Sequence, residues 1–221
     1  MSIIKVNYRV FSNSYSIRKE LSKVLSDYAF LSFDTEVRSL YNKDERSEAK
    51  KYLKEAKTND YYYKQARVVS ESSGLSYPEI TETTHFILGI SEDFSYIFVC
   101  RDHATEKFIW NKLAEYEGTI AVHNSLFDLK IMYERTGKLP KNFVDTALKV
   151  KCLINHVNIW KSKTGLKELM GSYYSPKWSL MDDYEPEDLK NKDFLMYAAI
   201  DGAATFKLHS MIDEELKNYK E

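Results

Sequence analysis

The run Ala29-Phe30-Leu31-Ser32-Phe33 is apolar enough to be buried, and it leads without a break into Asp34-Thr35-Glu36. A strand that carries two acids at the margin of its own core limits what the rest of the chain can do, because a buried carboxylate needs compensation. Residues two apart on a strand share a face, so Asp34 and Glu36 converge on one point. Like charges pressed together raise each other's pKa, and a cation relieves the conflict. The same acid-x-acid spacing recurs at Asp183/Glu185 and Asp213/Glu215, in polar or helical stretches where no such conflict arises.

Hydrophobic periodicity around this strand predicts an α/β arrangement. Residues 2–11 alternate (Ile4, Val6, Tyr8, Val10) as a half-buried strand, and 16–28 switch to helical spacing (Ile17, Leu21, Val24, Leu25, Tyr28) behind serine cap candidates. The strand over 29–33 then places Asp34 at its C-terminal end. Residues 85–90 and 96–100 read as a hairpin turning at Ser91-Glu92-Asp93, followed by a helix over 104–116 and a strand over 119–123 that runs into Asn124. A helix over 127–135 ends near Gly137, a last strand covers 143–145, and a helix over 192–211 carries Tyr197 and Asp201 on one face. This order describes an RNase H-like mixed β-sheet flanked by helices, with acids at the strand ends where open α/β sheets bind ligands. Residues 41–83 interrupt the alternation and read as an insertion after the first motif strand, within a single domain spanning 1–221. Inside it, 44–56 predicts an exposed helix and 70–78 a loop.

A formal net charge of -1 gives no global positive field, so any surface for a polyanion must be built by local clustering. The stretch from Lys149 to Lys167 is such a cluster, with five lysines, no acids and Trp160. Cys100 and Cys152 lack zinc spacing and read as buried thiols. No apolar run approaches the ~20 residues of a membrane span, and a cytoplasmic protein is expected. Taken singly, Asp128 is either a partner of a helix N-terminus or a ligand, Tyr197 either a core aromatic or a site hydroxyl, and His123 a structural residue.

The ordered set is more specific. Asp34-Thr35-Glu36, Asn124 through Phe127-Asp128, and Tyr197-Ala198-Ala199-Ile200-Asp201 resemble the three motifs of the 3′–5′ exonuclease domain of bacterial DNA polymerase I, in the Asp-Glu-Asp-Asp exonuclease superfamily. Asp145-Thr146-Ala147-Leu148 and Gly165-Leu166-Lys167-Glu168-Leu169 also resemble segments between that family's second and third motifs. Met196 stands where the superfamily's other branch carries histidine, which implies the tyrosine subtype.

The resemblance implies a nuclease using two ions, Mg²⁺ or Mn²⁺, about 3.5–4 Å apart. Asp34, Glu36 and Asp201 would hold the first, Asp34 would be shared with a second whose water shell Asp128 orients, and Tyr197 would aim the attacking water. The expected substrate is a DNA 3′ end, single-stranded or frayed, released as nucleoside 5′-monophosphates. Leu40 would wedge against the terminal base, or else serve as an ordinary core residue. Asn124 would contact the terminal nucleotide, or else simply form a turn, with Phe127 beside it. Met181 or Trp178 would supply a second wedge, and Trp160, Lys161 and Lys163 would follow the strand. Replication or proofreading beside a separately encoded DNA polymerase, in a phage or plasmid setting, is the expected context, with no polymerase region in this chain. Two alternatives stay open: an exoribonuclease of ribonuclease D type, and a catalytically silent nucleic-acid-binding subunit.

Overall fold

The computed structural model describes residues 3–41, 43–55, 61–70, 81–154, 164–178 and 189–217. The described strands are β1 (Asn7–Phe11), β2 (Phe30–Ser39), β3 (Thr81–Ser91), β4 (Phe94–Val99), β5 (Thr119–Val122) and β6 (Asn142–Asp145). The helices are α1 (Ser14–Asp27), α2 (Lys43–Glu55), α3 (Tyr61–Ser70), α4 (His103–Ala114), α5 (Leu126–Thr136), α6 (Thr146–Ile154), α7 (Leu166–Met170) and α8 (Lys192–Lys217). The strands form one mixed sheet in the order β1-β4-β3-β2-β5-β6. Strands β2, β3 and β4 run antiparallel to their neighbours in that group, β5 and β6 continue parallel to β2, and β1 runs parallel to β4.

Period-two alternation separates two cores, one on each face of the sheet. Leu31, Phe33, Phe86, Leu88 and Phe98 face α1, α4 and α5, where Ile17, Leu21, Trp110, Leu113 and Met132 meet them. Ile87, Ile97 and Val99 face the other way, against Val150, Met170, Ala199, Ala203 and Leu208 of α6, α7 and α8. The mixed α/β sheet expected from the sequence is therefore the one observed. Helices α2 and α3 pack against each other between β2 and β3. Among the described residues no helix is long and apolar enough to cross a membrane.

Several boundaries differ from the sequence reading for identifiable reasons. Strand β2 does not stop at Phe33; it continues to Ser39 because β3 pairs with it from Ser32↔Gly89 to Ser39↔Thr81, past an irregularity between Glu36 and Val37. Asp34 consequently lies within the strand, one residue beyond the last pair with β5, Phe33↔Val122. Strand β3 begins at Thr81 rather than at His85 for the same reason. Helix α1 is capped by Asn13, not by a serine: its Oδ1 accepts from the backbone N–H of Tyr15 at 2.9 Å and of Ser16 at 3.4 Å. Helix α3 was not anticipated, and the loop expected over 70–78 lies, after Ser70, outside the described residues. Cys100 is buried as expected, whereas Cys152 is exposed on α6.

Helix α8 docks closely on the centre of the sheet, with small residues at the contact. Ser32 Oγ donates to the Gly202 carbonyl at 2.6 Å, and Ser95 Oγ donates to that of Ala199 at 2.8 Å. A Cβ on Gly89 would come within 2.6 Å of the Gly202 carbonyl oxygen, so the contact requires hydrogen there. Replacing Gly89 by alanine is expected to destabilise the fold by roughly 1–3 kcal/mol through overpacking, read as a lowered urea midpoint at unchanged slope.

Candidate active site

The docked helix brings Asp201, the residue before Gly202, over the strand that carries Asp34. Carboxylate oxygens of Asp34, Glu36 and Asp201 all lie within 4.8 Å of one another. Thr35, between the two acids of β2, has the opposite orientation and donates its hydroxyl to Asp128 Oδ1 at 2.5 Å. Asp128 sits in the first turn of α5 and is buried. All four sequence-predicted acids are thus brought together, three as a tight group and Asp128 behind Thr35. Asp201 Oδ1 accepts from Trp178 Nε1 at 3.1 Å, while its Oδ2 is buried and has no hydrogen bond among the described residues.

The electrostatics follow from that crowding. Burial pushes the Asp34 carboxyl up to about 7, against the Thr35 backbone N–H and the Lys167 charge, which pull it down. Burial and the neighbouring charges of Asp34, Asp201 and Asp128 hold Glu36 well above the usual carboxylate range. Burial and the Asp34 charge do the same to Asp128 and to Asp201. A site with an orphaned buried carboxylate oxygen and four mutually repelling acids suits oxygen-seeking divalent cations, which would remove both defects at once. Tyr197, one turn before Asp201, is raised above its ordinary value by burial and then by Asp201, Glu36 and Asp34, so it is a neutral phenol. Its hydroxyl accepts from Lys167 Nζ at 3.2 Å.

The end of β5 enters the site through a constrained turn. Asn124 is exposed with φ 61, the one non-glycine residue at positive φ among the described residues. Asp145 braces the next residue: its Oδ2 accepts from the Ser125 N–H at 2.8 Å and from Ser125 Oγ at 2.7 Å. Burial opposes ionisation of Asp145, but these bonds and those from Ala147 and Leu148 outweigh it and hold the carboxyl low. His123 pairs through Nδ1 with the Thr146 hydroxyl at 2.9 Å, a structural contact.

The residues expected at the substrate divide into three groups. Leu40 is 59% exposed, just past the end of β2, which removes the core reading for it. Phe127 is half-buried and packs on the core beneath Asn124, whose carbonyl accepts from its N–H at 3.3 Å. Trp178 is not a wedge, because it is 1% exposed and its indole is committed to Asp201. Met181, Trp160, Lys161 and Lys163 lie outside the described residues. Of the flanking lysines, Lys149 is paired with Asp213 at 2.8 Å, and Lys167 turns into the site. The sequence reading missed the roles of Thr35, Trp178 and Lys167; only for Thr35 did a signal exist, since strand alternation points it away from its two acidic neighbours.

The fold and the acid cluster define an RNase H-like metal-dependent phosphodiester hydrolase. The chain belongs to the 3′–5′ exonuclease family, whose model matches residues 10–217. Solved structures of the same fold include NrnC of Brucella melitensis, at 14% identity and TM-score 0.56, over 99% of this chain and 84% of that one. NrnC has also been solved with bound Mg²⁺ and bound to pGG. Escherichia coli RNase D, described as an exoribonuclease involved in structured RNA processing, matches at 15% identity and TM-score 0.57, over 96% of this chain and 46% of that one. The catalytic core of RRP6 from Trypanosoma brucei matches at 11% identity and TM-score 0.63, over 100% of this chain and 50% of that one. Comparison with curated proteins gives no match.

Two measurements test the site. The raised carboxyls mean that the metal-free folded state binds more protons than the unfolded chain between their ordinary values and about 7, so stability falls as pH rises through that window. Differential scanning calorimetry is expected to show Tm of the metal-free protein dropping across it, with Mg²⁺ or Mn²⁺ raising Tm more at about pH 8 than at about pH 5. A Thr35→Val variant, which strips Asp128 of its hydroxyl partner, is expected to keep the fold, lose about 1–3 kcal/mol of stability and turn over about 10–100-fold more slowly.

Proposed function

We propose that this exonuclease shortens DNA from a single-stranded or frayed 3′ end, releasing nucleoside 5′-monophosphates with two Mg²⁺ or Mn²⁺ ions. The observation that carries this reading is the convergence of Asp34, Glu36, Asp201 and Asp128 with Tyr197 in one partly buried cluster. Asp34, Glu36 and Asp201 would hold one ion, and Asp34 with Asp128 would serve the second. When bound, the ions supply Lewis-acid stabilisation of the attacking and leaving oxygens and acidify the water. Tyr197 stays protonated in this negative surrounding, so it orients the water through its hydroxyl and does not act as the base. Thr35 and Trp178 hold Asp128 and Asp201 in register through single hydrogen bonds.

Exposed Leu40 supplies an apolar surface for the terminal base, and exposed Asn124, held by its braced turn, supplies an amide for the terminal nucleotide. Phe127 supports that turn from below. The likeness of Tyr197-Ala198-Ala199-Ile200-Asp201 to the third motif of the polymerase exonuclease domain supports DNA, and with it work beside a separately encoded DNA polymerase. A second reading, an exoribonuclease, is supported by RNase D, an exoribonuclease, among the solved structures of this fold. In either case we read residues 41–83, whose described part holds α2 and α3, as an insertion in a single domain.

Digestion of 5′-labelled DNA and RNA oligomers of one sequence decides between them. Stepwise shortening of DNA in Mg²⁺, none in chelator, and a loss of at least about 100-fold in Asp34→Asn are expected. Rapid trimming of RNA with inert DNA would move the substrate to the second reading. Wild-type protein that binds both polymers and shortens neither would make it a binding module.

A further inference from the structure

Lys167 enters the acid cluster from α7, a single-turn helix between α6 and α8. Leu169 and Met170 of that turn are buried in the same core as α8. The Glu168 carboxylate accepts from the Gly165 N–H at 3.3 Å, and the Leu169 N–H donates to the Gly165 carbonyl at 3.0 Å. The half-buried lysine is therefore aimed by packing on both sides of it. Its Nζ donates to the Tyr197 hydroxyl at 3.2 Å and lies 4.4 Å from the centre of the Tyr197 ring. Its charge also acts on Asp34, Glu36 and Asp201.

We propose that Lys167 is a further catalytic residue, a fixed positive charge that positions Tyr197 and meets the scissile phosphate once divalent ions have taken the carboxylates. The proposal rests on the exonuclease reading above. Charge balance supports it. Four carboxylates offset two divalent ions, which leaves the lysine facing the single negative charge of a phosphodiester. Bound ions would weaken the pull of the acids on the ammonium and leave its charge available to a phosphate. Negative charge on the equatorial phosphoryl oxygens must be stabilised in phosphoryl transfer, and a lysine suits that task as a point charge. With Lys167 donating to the Tyr197 oxygen and the Asp201 carboxylate as the phenol's other partner, the direction of the hydroxyl is fixed.

Lys167→Met, compared with wild type and Lys167→Arg, tests both halves of the idea. Calorimetric titration with Mn²⁺ alone, without nucleic acid, is expected to show Lys167→Met binding about 3–10-fold more tightly, because a competing cation has gone. Turnover of the labelled oligomer is expected to fall at least about 100-fold in kcat with little change in KM, and Lys167→Arg to recover most of it. Lys167→Gln supplies the same comparison if the methionine variant does not fold. A methionine variant that turns over like an active wild type, or one that binds Mn²⁺ more weakly, would overturn the role given to Lys167 alone. A wild type that takes up Mn²⁺ yet shortens neither polymer would overturn the exonuclease reading instead.

Discussion

The contact between α8 and the centre of the sheet sets the rest of the structure. Side chains ordinarily hold a helix away from the sheet it covers; here Gly89 and Gly202 remove that spacer, and Ser32 and Ser95 reach the helix carbonyls directly. A carbonyl oxygen has a second lone pair, so each serine is satisfied without breaking the helix. Ser32 lies two residues before Asp34 on the same strand face, and Asp201 adjoins Gly202. The interaction that seals one core therefore also fixes the separation of two acids. Misplacement of about 1 Å can cost about 10²-fold in rate, so the small residues at this contact serve the chemistry as much as the packing.

Two buried acids in this chain show how a structural carboxylate differs from a functional one. Glu106, beneath β3, is surrounded by donors: Arg135 Nε at 3.3 Å, Trp110 Nε1 at 3.4 Å and the Thr83 N–H at 3.3 Å all reach its Oε1. Its Oε2 meets His103 at 3.3 Å. Such a group is fully matched by the protein. Asp201 has Trp178 and Tyr197 as hydrogen-bond partners, a second oxygen with no hydrogen bond among the described residues, and Asp34 and Glu36 as acidic neighbours. The fold leaves that deficit in place, which is what a site reserved for an added cation requires.

Much of this was legible in the sequence because it rests on short-range periodicity. The spacing of Asp34 and Glu36 on a strand, and of Tyr197 and Asp201 on a helix, fixes shared faces without knowledge of the fold. The order of elements gave the mixed sheet, and the Gly137 stop of α5 is seen at φ 68. What was hidden depends on partners distant in the chain. The extension of β2 to Ser39 is imposed by β3, whose first residues, Thr81 to Thr83, resemble loop more than strand when read alone. Trp178 looked like an exposed wedge because nothing local says that an indole 23 positions away will choose Asp201. Lys167 sat within a basic run read as a surface for a polyanion, and only the placement of α7 on α8 turns it inward.

The turn at Asn124 shows how the site reaches beyond the strands that carry its acids. A side chain at positive φ is unfavourable for most residues, though asparagine tolerates it better than others. The conformation persists because the surroundings over-determine it. Asp145, at the end of β6, accepts both the N–H and the hydroxyl of Ser125 with one oxygen and the N–H groups of Ala147 and Leu148 with the other. One carboxylate so ties the start of α5 to the start of α6. Asp128 is three residues further along α5, so its position over Thr35 depends on the edge strand β6. The edge strand is therefore a structural support for the fourth acid, and the strain at Asn124 is held where an exposed amide is presented beside that acid.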